Sequence, residues 1–130
     1  MITSLYTGLL GLLFFLISIE TIKARRSQKI SLGAGSNNEI QHLVAAHSNF
    51  SSYAGFFLVA FALVEYSRQF PMWLLHVFGV VFFLGRVLHF LSMRTSKMDF
   101  GKRTAGMLMT LFPLIFISLM NVWIYVISLK

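Results

Sequence analysis

The sequence predicts an all-α integral membrane protein, a bundle of four transmembrane helices, and three observations lead there. Hydrophobic residues fill 57% of the 130 positions and charged residues only 12%, a balance foreign to a water-soluble domain. The apolar residues gather in four blocks, at 1–21, 43–66, 72–93 and 104–129. Each block reaches the roughly 20 residues that cross about 30 Å of hydrocarbon as a helix. The blocks are apolar all round, whereas strands of a membrane barrel alternate polar with apolar positions. One membrane domain over residues 1–130 accounts for the whole chain.

The first block is read as a helix and not as a cleaved signal peptide, because no positive charge precedes it and no small-residue cleavage pattern follows it. Gly8 and Gly11 are small positions at which another helix could approach closely. Glu20, near the end of the block, is expected to pair with Lys23 one turn on or, if it faces inward, to orient Arg86 or His47. Lys23, Arg25, Arg26 and Lys29 follow, and the first connector runs to about residue 42. Its segment Gly33-Ala34-Gly35-Ser36-Asn37-Asn38 is a turn signal, with Asn38 placed to cap a helix that opens at Glu39.

The second block begins with an unusually polar stretch of His47, Ser48, Asn49, Ser51, Ser52 and Tyr53. His42, Asn49 and Phe56 recur every seven residues as one stripe, while His47 and Ser51 lie on another side. The serines are expected to bond back to the preceding turn, but the Asn49 amide needs partners of its own. Asn49-Phe50-Ser51 fits the glycosylation pattern but lies inside the membrane, so it is no acceptor. A tight hairpin of about five residues, closed by Pro71, makes the second and third helices antiparallel neighbours.

In the third block Gly79, Arg86 and Met93 share a stripe, and His89 lies within about 60° of Arg86. An arginine at the centre of a membrane helix costs roughly 2.5–3.5 kcal/mol, so Arg86 needs something to hold. It lies eight residues before Arg94, or about 12 Å inside that end of the helix. His47 and Asn49 enter the membrane from the same end, so the polar groups of the two helices converge at similar depth. His76, alone in the other half, is expected to be structural. The fourth block opens at Lys102-Arg103-Thr104 and contains Pro113, tolerated in a membrane helix when neighbours satisfy the freed carbonyl.

Charge sets the orientation. The net charge of +7 lies mostly in connectors one and three, the latter carrying Arg94, Lys97, Lys102 and Arg103. The positive-inside rule puts both connectors in the cytoplasm and both termini outside, with Trp73, Trp123 and Tyr125 at the outer interface. Anionic lipid headgroups suffice as partners for these cations, and no nucleic acid is needed. With no cysteine the chain has no thiolate of its own, and His42, His47 and His89 lack a further ligand at helical spacing, so no metal site is expected. What remains is a cationic, amide-lined pocket suited to a small anion.

His47-x-Asn49 followed by Tyr53, then Gly85-Arg86-Val87-Leu88-His89, on four helices with a long basic first connector, resembles the membrane-associated proteins in eicosanoid and glutathione metabolism, the MAPEG family. The resemblance spans nearly the whole chain and is nearest to small bacterial inner-membrane members. It implies a homotrimer that binds glutathione between neighbouring subunits at the cytoplasmic side. By position, Asn49, Tyr53, Arg86 and His89 match the family's glutathione-binding motifs, with His47 beside them and Lys23 and Arg25 near its basic positions ending the first helix. Arg103 resembles the arginine held to stabilise the glutathione thiolate. The implied activity is that of a glutathione-dependent transferase or peroxidase acting on lipophilic electrophiles. The chain departs from the motifs at Ala45, Ser52, Gly55 and Met93, where the family carries arginine, glutamate, a nearby proline and tyrosine. Those departures leave a second expectation, a member of the fold that binds a lipid or other small anion without catalysis. A third is a proton relay through Glu20, His47, Arg86 and His89.

Overall fold

A computed structural model describes residues 1–33, 36–95 and 97–129. Four helices fill it: α1 (Ile2–Ser27), α2 (Asn38–Ser67), α3 (Met72–Met93) and α4 (Phe100–Ser128). All four are long and apolar enough to cross a membrane, and no strand occurs among the described residues. The chain is an integral membrane protein.

The helices outrun their apolar blocks wherever the flanking residues favour helix. α1 continues past Thr21 through Lys23, Arg25 and Arg26, which are good helix formers and suit the negative end of the helix dipole. Lys29 then takes a left-handed conformation (φ 54°), and Ile30 N–H returns to the Arg25 carbonyl at 3.0 Å. Asn37, one residue earlier than expected, caps α2 by accepting from Ile40 N–H at 3.1 Å. In the turn signal before it Gly33 has φ 68°, while Ala34 and Gly35 lie outside the described residues. Asp99 caps α4 in the same way through Lys102 N–H at 3.1 Å. The start of α1 is capped from a distance: the Glu65 carboxylate, near the end of α2, accepts from Ile2 N–H and from Thr3 N–H at 2.8 Å.

α2 and α3 form the central pair. α1 packs on both and α4 packs on both, but among the described residues α1 and α4 do not touch. Phe57, Phe61 and Phe82 are fully buried at the middle of the bundle, with Phe57 stacked on Phe82 at 3.8 Å between centroids. The outward faces carry Leu12, Phe15, Phe56, Val59, Leu108 and Ile115, apolar side chains that lipid solvates.

Glycines set the closest approaches. A Cβ on Gly106 of α4 would lie 2.7 Å from His89 N and 2.8 Å from the Gly85 carbonyl oxygen, so α3 and α4 meet almost backbone to backbone. Gly79 makes room for the Tyr6 ring, whose hydroxyl reaches the His76 carbonyl at 3.0 Å and His76 Nδ1 at 3.2 Å. His76 is thus structural, as expected, but not alone. Gly8 and Gly11, expected to admit a helix, face open space within the chain.

Candidate functional site

Arg86 is the centre of the site, and the α3–α4 contact brings it there. Gly85 lies against α4, so the next residue projects into the wedge between α2 and α4. Its side chain is 1% exposed. Nε donates to Thr110 Oγ1 at 2.9 Å, Nη1 donates to Asn49 Oδ1 at 2.7 Å, and Nη2 donates to Met107 Sδ at 3.6 Å. The Tyr53 ring covers the guanidinium, with Cζ 5.6 Å from its centroid. Thr110, 0% exposed, sends its own proton to the Gly106 carbonyl at 2.8 Å, which leaves its lone pairs for Arg86. Every partner is neutral. Among the described residues no carboxylate meets this guanidinium, and its charge stands uncompensated inside the bundle.

Snorkelling to the headgroups is the usual escape for such a residue, and Arg86 does not take it. Asn49 and Arg86 converge as their similar depth predicts, and Tyr53, one turn on from Asn49, joins them. His89, one turn along, is buried against the Gly106 backbone, and both Arg86 and Arg103 lie within electrostatic reach of it. Arg103 stands exposed in the first turn of α4 with Nη1 donating to Met98 Sδ at 3.3 Å. Ser51 and Ser52 bond back to the carbonyls of His47 and Ser48, each at 3.0 Å, as expected.

Two expected members lie elsewhere. His47 is two residues from Asn49, about 200° around α2, and faces α1. Its Nε2 is 3.1 Å from Ser18 Oγ and its ring lies 4.8 Å from that of Phe14. With Arg25, Ser18, Thr21, Ile22 and Val44 it lines a cavity of about 230 Å³ between α1 and α2. Arg25 Nε is buried there without a hydrogen-bond partner among the described residues. Within one chain, then, Asn49, Tyr53, Arg86, His89 and Arg103 gather on the α3–α4 side, and His47 and Arg25 on the α1 side.

Glu20 corrects its expectation. It pairs neither with Lys23 nor with Arg86 or His47, but with Arg94 at the end of α3, at 2.6 and 2.9 Å. The fork of an arginine closes on both carboxylate oxygens, which the ammonium one turn away on the same helix does not match. His42 keeps to the side of α2 that faces α3, with Nδ1 2.9 Å from the Thr95 carbonyl just past the end of α3, whereas Phe56 of that stripe faces outward. The relay expected through Glu20, His47, Arg86 and His89 is not joined by hydrogen bonds among the described residues. No cluster of three metal-ligating side chains occurs among them.

Thr110 and Met107 were not legible as site residues. Depth is the one signal for Thr110: it is seven residues into α4 from Arg103, as Arg86 is eight from Arg94 on α3.

Comparison with known proteins fits this architecture. A model of the MAPEG family matches residues 3–123. Inner membrane protein YecN of Escherichia coli K12 is 27% identical over 123 residues, covering 95% of this chain and 92% of that protein. YecN of Escherichia coli O6:H1 matches to the same extent.

Proposed function

The chain belongs to the MAPEG family, and on that premise we propose that it is a glutathione-dependent transferase or peroxidase of a bacterial inner membrane, acting on lipophilic electrophiles. The observation that carries the reading is the buried Arg86 guanidinium with only neutral partners. Such a charge favours an anion, and glutathione brings two carboxylates and an ionisable thiol. Arg25, with its buried and unpartnered Nε, supports a second cationic contact. The two groups face opposite sides of α2, so one molecule meets both only if a neighbouring protomer supplies the second. A homotrimer with glutathione between subunits satisfies that condition. The similarity to inner membrane protein YecN supports the inner membrane, and the basic connectors support a cytoplasmic site with both termini outside.

Glutathione supplies the reacting thiol, and the chain's task is to favour its ionised form. A free thiol has a pKa of about 8.5, and lowering it two units takes roughly 2.7 kcal/mol. One arginine at about 4 Å, in an effective dielectric near 20, contributes about 4 kcal/mol before desolvation is subtracted. Arg103 suits this role, because it is exposed and, among the described residues, its guanidinium is held by a thioether, while Arg86, His89, Asn49 and Tyr53 orient the rest of the molecule.

A second reading keeps the fold and drops the chemistry: a protein that binds a lipid or other small anion. The sequence favours it at Ala45, Ser52 and Met93, where a cation, an acid and a hydroxyl of the family motif are missing. Thermal unfolding of the detergent-purified protein, with and without millimolar glutathione, separates the two. At about 100 times its dissociation constant a ligand stabilises by about 2.7 kcal/mol. The first reading expects that shift in the wild type and its loss in Arg86→Ala and in Arg103→Ala, the latter readable even if the former unfolds. Absence of a shift at saturating glutathione refutes it.

A further inference from the structure

Both arginines of the site rest against sulfur: Arg86 Nη2 on Met107 Sδ and Arg103 Nη1 on Met98 Sδ, at 3.6 and 3.3 Å. A thioether is a weak acceptor, so each contact parks a guanidinium without competing with an arriving anion. The two sulfurs sit in different surroundings. Both methionines are half-buried, but Met107 lies within α4 beside the buried guanidinium, whereas Met98 lies in connector three, outside the spanning helices, with one side against the core and its sulfur against an exposed arginine. Met98 is also fixed in place. Asp99 N–H bonds the Ser92 carbonyl at 3.1 Å and the Thr95 carbonyl is 2.9 Å from His42 Nδ1, so the connector is tied down on both sides of it.

We propose that Met98 is an oxidation site through which hydroperoxides control Arg103. The Sδ lone pair attacks the distal oxygen of the peroxide, the S–O bond forms as O–O breaks, and the leaving hydroxide or alkoxide takes the proton of the transferred oxygen to become water or an alcohol, which leaves the neutral sulfoxide. Sulfur loses two electrons and the peroxide gains them. The product, a sulfoxide, replaces a weak acceptor with a strongly polar oxygen beside the Arg103 guanidinium, and a charge-assisted hydrogen bond between them follows. A parked arginine becomes a tethered one, and a reductase of methionine sulfoxide releases it. The link to thiol chemistry rests on the function proposed above, while the chemistry at Met98 does not.

The test treats the detergent-purified chain with limiting hydrogen peroxide, measures sulfoxide at each methionine by peptide mass spectrometry, and then measures the labelling rate of Arg103 by phenylglyoxal. Met98 is expected to oxidise before Met93, Met107, Met109 and Met120. Labelling of Arg103 is expected to slow about tenfold in the sulfoxide form and to recover after enzymatic reduction. In Met98→Leu, Arg103 should label at one rate with or without peroxide. Oxidation of Met98 no faster than that of the buried Met93, or an Arg103 labelling rate indifferent to the sulfoxide, overturns the proposal. Both rates are readable whether or not glutathione binds, so this proposal and the glutathione reading fail separately.

Discussion

Asn49→Asp tests the uncompensated charge directly. The substitution nearly preserves shape and turns the 2.7 Å amide contact with Arg86 Nη1 into an ion pair. Two unit charges at about 4 Å attract by about 4 kcal/mol in an effective dielectric near 20. Desolvating a carboxylate costs several kcal/mol when it is fully buried and less at the half-buried Asn49. A net stabilisation of about 1–2 kcal/mol is expected, because the variant gives a buried cation the partner it lacks. The same pairing removes the attraction for an external anion, so under the proposed function glutathione affinity should fall at least about tenfold, or about 1.4 kcal/mol. Thermal unfolding at neutral pH, with and without glutathione, reads both effects in one series. A lower melting temperature without ligand would mean that the charge of Arg86 is already balanced, and the reasoning would fail there. An undiminished glutathione shift would mean that the ligand is held by something else.

Gly106→Ala should destabilise by about 1–3 kcal/mol, since the added Cβ meets backbone atoms of His89 and Gly85 that no rotamer change can move aside, and thermal unfolding measures it. Glu65→Ala strips the start of α1 of its acceptor and should cost about 1–2 kcal/mol, with faster amide exchange at Ile2 and Thr3 than in the rest of α1. The Asp99 carboxyl is held below its ordinary range, first by the Lys102 backbone N–H and then by the Lys102 side chain. A lowered value in the folded state means that the cap contributes above the ordinary aspartate pKa of about 3.9 and is lost as the pH falls through the folded value. Protection of the amides in the first turn of α4, relative to their intrinsic exchange rate at each pH, should therefore fall in acid for the wild type, and in Asp99→Asn that acid response should disappear.

How much of this was legible follows from which forces act locally. The spans were legible because lipid demands long apolar runs and nothing else produces them. Arg86 and Asn49 were legible as a pair because both are costly in hydrocarbon and lie at equal depth. The partner of Glu20 was not legible, since Lys23 is nearer in sequence and only the packing of α1 against α3 brings Arg94 within reach. Thr110 was hidden for a related reason. The rotation of α4 against α3 is fixed by the Gly85–Gly106 contact, and helical periodicity within either helix carries no information about that rotation. Phe56 faces outward although it shares a stripe with Asn49, because periodicity tells which side chains share a face and not whether a neighbouring helix still covers that face two turns further on.

α2 is a party wall. Asn49 and Tyr53 serve the arginine cluster on one side, and His47 and Val44 line the α1 cavity on the other. A displacement of this helix that tightens one chamber loosens the other by a comparable amount, since close-packed interiors transmit such strain. Substitutions on its two faces should therefore not combine additively even though their side chains never meet.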